Sequence, residues 1–167
     1  MNASEIEDAL RSNRFGKQYL AGVFAADQLP TKEFPGAYIV NTDTSSQPGQ
    51  HWVAFFTTEE GTECFDSFGE NPSTYSVYIA EWLKDDFQVV QCETLQSSDS
   101  TVCGQYCIYF ILFRSYGFSY EDRMSSLTES TEVNDKFVCK FVNKFFKLRT
   151  TVQDKYFLMH FNGRKKR

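Results

Sequence analysis

Four side chains in this sequence, His51, Asp66, Gln96 and Cys103, are of the types that together can break an acyl bond. Cys103 stands in "TVCGQYCIYFILF", residues 101 to 113, where a polar loop runs into a Cys-Gly pair and then a long apolar stretch. That context leaves four readings of the thiol: nucleophile, disulfide half, metal ligand or core side chain. From Gly104 to Tyr116 there is no proline, and nine side chains are apolar or aromatic, so a helix there would be buried nearly all round. Asp99, Ser100 and Thr101 come just before it and are natural N-cap residues, which puts Cys103 at or beside the helix start. Unpaired N–H groups and the positive end of the helix dipole stabilise a thiolate at that place. Gly104 lets the backbone approach a ligand closely. Cys107, one turn further on, reads as a small, inert core residue.

A thiol nucleophile needs a base, and the base needs an orienter. His51 opens "HWVAFF" directly after a Pro-Gly loop, which places it at a sheet end where a cleft can form. With a turn near Thr58 to Glu60, Asp66 on the returning strand falls within a residue or two of the position opposite His51. A carboxylate there accepts from one imidazole nitrogen and leaves the other to face a thiolate. Attack on a carbonyl makes an oxyanion, which needs donors held in place. The backbone N–H of Cys103 is one candidate, and the side chain of Gln96, seven residues earlier, is a second. Each residue alone has a plainer reading. His51 can be a hydrogen-bonded histidine at a strand end, Asp66 a strand end entering a turn, Gln96 an exposed amide in a polar loop. The ordered set is what favours chemistry. His160, in "FLMHFNGRKKR", has no such context.

These residues need elements to position them. A chain of 167 residues with 41% hydrophobic side chains, 17 Phe and 9 Tyr is long enough for a single domain with a substantial core. Ser4 and Glu7 fit a capping box, predicting a helix over residues 4 to 12. Strands are expected at 37 to 43 and 51 to 56, with a return at 64 to 68 that completes a hairpin. A helix is expected in "SVYIAEWLKDDF" and a short strand in "FQVVQC". Two further helices follow, one from near Ser119 and one over 135 to 148. The second has an apolar face of Phe137, Val138, Phe141, Val142, Phe145 and Phe146. The fold class is α+β, a mostly antiparallel sheet with helices packed against it.

Composition also excludes. No run approaches the ~18 apolar residues of a membrane span. The opening "MNASEIEDAL" is acidic and polar, unlike a signal peptide, so the five cysteines are expected as reduced thiols. None of them forms a C-x-x-C pair, and with only two histidines a metal site is poorly supplied. A net charge of −5 argues against nucleic-acid binding by the surface as a whole. The basic residues are uneven, however: Lys136, Lys140, Lys144, Lys147 and Arg149 crowd one late segment, and "GRKKR" closes the chain. The plain reading of this stripe is a solvated helix face. The functional one is a DNA or other polyanion contact, with the tail also serving nuclear import.

"NTDTSSQPGQHWVAFF", "CFDSFG" and "LQSSDSTVCGQYC" resemble the adenovirus-type cysteine proteases (adenain and its relatives) and, more distantly, the ubiquitin-like-protein proteases. In both groups a His-Trp pair opens a strand, an acidic residue follows on the next strand, and a Gln precedes a Cys-Gly pair. His51-Trp52, Asp66, Gln96 and Cys103-Gly104 match in order and approximate spacing from about residue 10 to about residue 148. The Gln96 to Cys103 gap and the Asn in "VNTD" are similar to the adenovirus type. The resemblance implies a papain-like arrangement permuted in sequence: a central helix carrying Cys103 packed on the sheet that carries His51 and Asp66, with further helices at the C-terminal end. It implies one protease domain over 1 to 167 with a flexible basic tail at about 162 to 167, acting as a monomer without a metal or cofactor. It implies cleavage after Gly-containing sites in viral or virus-like-element precursors, with Trp52 and Gly104 near the substrate. Removal of ubiquitin or a ubiquitin-like protein from a target is the alternative, and an inactive protein-binding module a third reading. The expected location is intracellular: host nucleus or virion for a viral protein, otherwise nucleus or cytoplasm. Adenovirus enzymes use an activating viral peptide, held through a cysteine upstream of the Gln, and DNA. Cys92 does not match that cysteine's spacing, and the acidic balance departs from a DNA-stimulated enzyme.

Overall fold

The computed structural model describes residues 1–147; His160, Arg149 and the "GRKKR" segment lie outside the described residues. The elements in chain order are α1 (Ala3–Arg11), α2 (Arg14–Tyr19), β1 (Leu20–Ala25), β2 (Gly36–Asn41), β3 (Trp52–Thr58), β4 (Gly61–Phe65), α3 (Val77–Leu83), β5 (Gln88–Val90), α4 (Cys103–Ser115), α5 (Tyr120–Met124) and α6 (Thr131–Lys147). They confirm the α+β class. The five strands form one sheet in the order β1-β2-β3-β4-β5. Its centre, β2-β3-β4, is antiparallel, and a parallel strand is added at each edge.

The central strands are buried on both faces, which is why "AYIV" and "VAFF" read as continuous apolar runs rather than alternating ones. Ala37, Ile39, Ala54, Phe56 and Phe65 face α1, α4 and α6 in the larger core. Tyr38, Val40, Val53, Phe55 and Cys64 face α3 on the other side. The larger core is built around α4, of whose thirteen residues eleven are buried. Such a helix has no solvated face, and its stability comes from what surrounds it. Phe65 stacks on Phe110 at 4.8 Å and so locks α4 onto β4. Val138 and Phe141 of α6 close the core from below.

Several expectations change. The capping box of α1 is Asn2 with Glu5, two residues earlier than Ser4 with Glu7; the spacing is the same, and Asn caps as well as Ser. None of Asp99, Ser100 or Thr101 caps α4: the N-cap is Val102, with no side-chain bond. The returning strand of the hairpin is Gly61–Phe65 rather than 64 to 68, because the chain turns away after Phe65. The long C-terminal helix starts at Thr131, not at 135. α2 and β1 have no counterpart in the sequence reading. By contrast, a helix does start near Ser119 as expected: α5 begins at Tyr120, with Ser119 and Asp122 forming its capping box.

Candidate active site

His51 immediately precedes β3, and Asp66 immediately follows β4. The hairpin register pairs Ala54 with Phe65, so both side chains sit at the same end of the sheet. Their contact is short: His51 Nε2 lies 2.6 Å from Asp66 Oδ1. The Asp66 carboxylate is completely buried and accepts three further bonds, from Phe68 N–H, Glu70 N–H and Tyr75 Oη–H. Hydrogen bonds to the charged form favour it. Burial works against the Asp66 anion, but these bonds and the neighbouring imidazole outweigh it and hold the carboxyl below its usual range.

The imidazole is clamped as well as bonded. Phe68 stacks on it with ring centroids 4.8 Å apart, and Tyr75 leans against it at 5.5 Å. With Nε2 committed to Asp66, Nδ1 is the nitrogen left to face the thiol of Cys103. Burial disfavours the imidazolium, but Asp66 and Cys103 together push the His51 pKa up to about 9.

Cys103 is the first residue of α4 and is 8% exposed, reachable but largely dry. Burial opposes its thiolate. His51 and the backbone N–H groups of Trp52 and Gly104 override that and hold the thiol below its ordinary value. The missing side-chain cap at Val102 leaves first-turn N–H groups free to face the sulfur. Thiol lowered and imidazole raised, the pair is shifted toward thiolate and imidazolium. The other buried thiols behave oppositely: burial pushes Cys64 up to about 12 and Cys107 well above its usual value. All five cysteines are unpaired, and among the described residues no His, Cys, Asp and Glu cluster could hold a metal.

Gln96 is 1% exposed, not the solvated amide of the plain reading. Its Nε2 donates to the carbonyl of Ser100 at 2.9 Å, and its Oε1 accepts from Ser67 Oγ at 2.7 Å. Trp52 donates from Nε1 to the carbonyl of Met1 and borders a groove of about 720 Å³, together with Val23, Phe24, Asn41 and Gly49. Gly104 packs closely against the N-terminal segment. A Cβ there would meet Ile6 Cδ1 at 3.1 Å and Met1 Cβ at 3.4 Å, so its small size serves the packing of α1 on α4. Lys136, Lys140 and Lys144 are exposed on α6, away from the apolar face of that helix, and Lys147 is its last residue. Ser67, Phe68 and Tyr75 were not singled out from sequence. Ser67 and Phe68 lie inside the quoted "CFDSFG", so their adjacency to Asp66 was a usable signal; Tyr75 carried none.

No protein-family model matches this chain. It is similar to proteins of African swine fever virus. One, from a Malawi tick isolate, is named a cysteine protease and is 29% identical over 143 residues, covering 78% of this chain and 49% of that protein. Another, from a Kenya pig isolate, is named a SUMO-1 cysteine protease, 28% identical over the same shares. A third, from a Namibia warthog isolate, carries that second name and is 27% identical over 122 residues, 66% of this chain and 43% of that protein. The chain thus spans about half the length of the curated relatives it matches. No helix of the described residues is long and apolar enough to cross a membrane.

Proposed function

We propose that this chain is a cysteine endopeptidase with Cys103 as nucleophile, His51 as acid and base, Asp66 as the residue that orients and charges the imidazole, and Gln96 as an oxyanion donor. The observation that carries the reading is the Asp66–His51–Cys103 chain of contacts, which favours thiolate and imidazolium in one largely dry site. The Cys103 sulfur attacks the scissile carbonyl carbon, and the carbonyl π pair moves onto oxygen. That oxyanion is held by the Cys103 backbone N–H and the Gln96 amide. His51 gives its Nδ1 proton to the departing amine as the C–N bond breaks, leaving a thioester on Cys103. A water, deprotonated by the now neutral His51, attacks the thioester, and the thiolate leaves. No cofactor enters these steps.

The substrates are polypeptides laid in the groove beside Trp52, with glycine at the acyl side of the cut, and the leading candidates are precursor proteins of a virus or virus-like element. The viral origin of the similar proteins supports this reading. A second reading, release of a ubiquitin-like protein from its target, uses the same chemistry and is favoured by the SUMO-1 in the names of two of the similar proteins. The work is placed in the infected cell's nucleus or in the virion. The chain is read as a monomer; Cys92 is not at the spacing that would hold an activating peptide, and the acidic balance is unlike that of a DNA-stimulated enzyme, which counts against both forms of activation. The test is a panel of Gly-Gly and Gly-X precursor peptides against a SUMO-1 fusion, with Cys103→Ala as control. Cleavage of the peptides but not the fusion supports precursor processing, and the reverse supports deconjugation. Hydrolysis by Cys103→Ala, or none by the wild type, removes the proposal.

A further inference from the structure

The turn that leaves β4 holds two parts of the site at once. Asp66 and Phe68 grip His51 from two sides. Between them Ser67, 1% exposed, grips Gln96. The Ser67 carbonyl accepts from the N–H groups of Leu95 at 2.8 Å and Gln96 at 3.0 Å, so the Gln96 backbone is tied to this turn. Gly69 lets the turn lie flat on the segment before Gln96. Its φ is +78°, and a Cβ there would come within 2.7 Å of the Cys92 carbonyl oxygen.

The side chain of Gln96 has both ends of its amide assigned by its partners. One end lies 2.9 Å from the carbonyl oxygen of Ser100. A carbonyl can only accept, so the atom facing it is the amide nitrogen. The oxygen therefore faces Ser67, whose hydroxyl is the donor at 2.7 Å. An amide nitrogen carries two hydrogens, and Ser100 uses one of them.

We infer that Ser67 is a positioning residue for hydrolysis: its hydroxyl holds the Gln96 amide so that the remaining N–H of Nε2 is offered to the oxyanion. This rests on the proposed role of Gln96. The physical need is clear from the alternative. An amide turned end for end would present an acceptor oxygen to a developing negative charge, where a donor is required. Without the Ser67 hydroxyl, Oε1 becomes a buried acceptor with no partner. The side chain then gains by rotating toward any other donor, which takes Nε2 off its position. Three consecutive residues, Asp66, Ser67 and Phe68, thus set both the base and the oxyanion donor.

The experiment compares wild type, Ser67→Ala, Ser67→Thr, Gln96→Ala and the Ser67→Ala/Gln96→Ala double variant, reading kcat and KM on the best substrate and the iodoacetamide rate at Cys103. Ser67→Ala is expected to lower kcat roughly tenfold or more, part of the ~10²–10³ that a whole oxyanion donor supplies, with KM within about twofold. In the Gln96→Ala background the same change should cost nothing. Alkylation of a thiolate forms no oxyanion, so its rate should be the same in Ser67→Ala as in wild type. Ser67→Thr, which keeps the hydroxyl, should recover most of the loss if its methyl is accommodated; the double variant and the alkylation rate decide the matter if it is not. An unchanged kcat in Ser67→Ala, an equal loss with and without Gln96, or a parallel fall in alkylation overturns the inference while leaving the proposed function standing. A wild type that hydrolyses nothing, or Gln96→Ala as fast as wild type, overturns the reading of the site and this inference with it.

Discussion

Replacing Asp66 by Asn tests the electrostatics of the site while preserving its shape. Asp66 Oδ1 accepts from His51 Nε2 and Phe68 N–H, and Oδ2 from Glu70 N–H and Tyr75 Oη–H. The hydroxyl of Tyr75 can turn to accept, so an Asn Nδ2 placed at the Oδ2 position conflicts only with the Glu70 N–H. His51 keeps an acceptor and Phe68 keeps its stack, but the negative charge is gone. With Asp66 and Cys103 the imidazole stands at about 9 despite burial; without the Asp66 charge it falls toward its ordinary ~6.5, with Cys103 still holding it up in part. At pH 7.5 an imidazole of pKa about 9 is almost fully protonated, whereas one at ~6.5 is protonated in roughly one molecule in eleven. The population of thiolate–imidazolium therefore falls by up to about tenfold at that pH. The sign follows from the direction of the shift: a raised His pKa keeps the active form present up to about 9, and its loss moves the alkaline limb of kcat/KM downward. The assay is kcat/KM from pH 5 to 10 for wild type and Asp66→Asn, with the iodoacetamide rate of Cys103 in parallel. An alkaline limb that stays in place, or an alkylation profile that does not change, refutes the argument that Asp66 charges the imidazole.

Other outcomes follow from the same geometry. Iodoacetamide at pH 7 should modify Cys103 first, exposed Cys92 more slowly, and Cys64 and Cys107 hardly at all, as peptide mapping over time would show; early labelling of Cys64 counts against the assignment. Gln96→Ala should lower kcat ~10²–10³-fold and lower the thermal midpoint through the lost bonds to Ser67 and Ser100, and a normal kcat returns Gln96 to a purely structural role. A Lys136, Lys140, Lys144→Gln triple variant should hydrolyse peptide as wild type does, because these side chains lie on the exposed face of α6. Whatever affinity for duplex DNA the protein has should reside in that face, fall steeply between ~50 and ~200 mM salt, and weaken in the triple variant by fluorescence anisotropy.

The parts of the site that were legible in sequence are those with a local mark. His51 follows a turn and opens an apolar strand, Asp66 ends the returning one, and Cys103 stands where polar sequence gives way to a helix with no solvated face. The hairpin register follows from strand length, and it brought His51 and Asp66 together. What was illegible depends on contacts between distant segments. β1 carries Gly22, which breaks its alternation, and it becomes a strand only by parallel pairing with β2, a long-range event with no turn to announce it. Gly104 suggested an open approach to a ligand, but a glycine also serves close helix packing, and Ile6 on α1 fills the space. Gln96 looked exposed because its neighbours are polar; it is buried because Ser67 and Ser100 satisfy both ends of its amide. Local propensity favours Thr101 over Val102 as the N-cap, and the structure overrides it.

The all-round burial of α4 bears on how the protein comes to be reactive at all. A helix of this composition has no amphipathic surface on which to form early, so its first turn is in place only after the sheet and α6 have closed around it. The β3–β4 hairpin can pair His51 with Asp66 through a short loop, while Cys103 must be delivered from a distant segment at a larger cost in chain entropy. Until that late step the thiol has no imidazole beside it, and its reactivity is that of an ordinary cysteine in an unfolded chain. A chain assembled in this order carries no activated thiol while it is still partly folded and surrounded by other nascent chains.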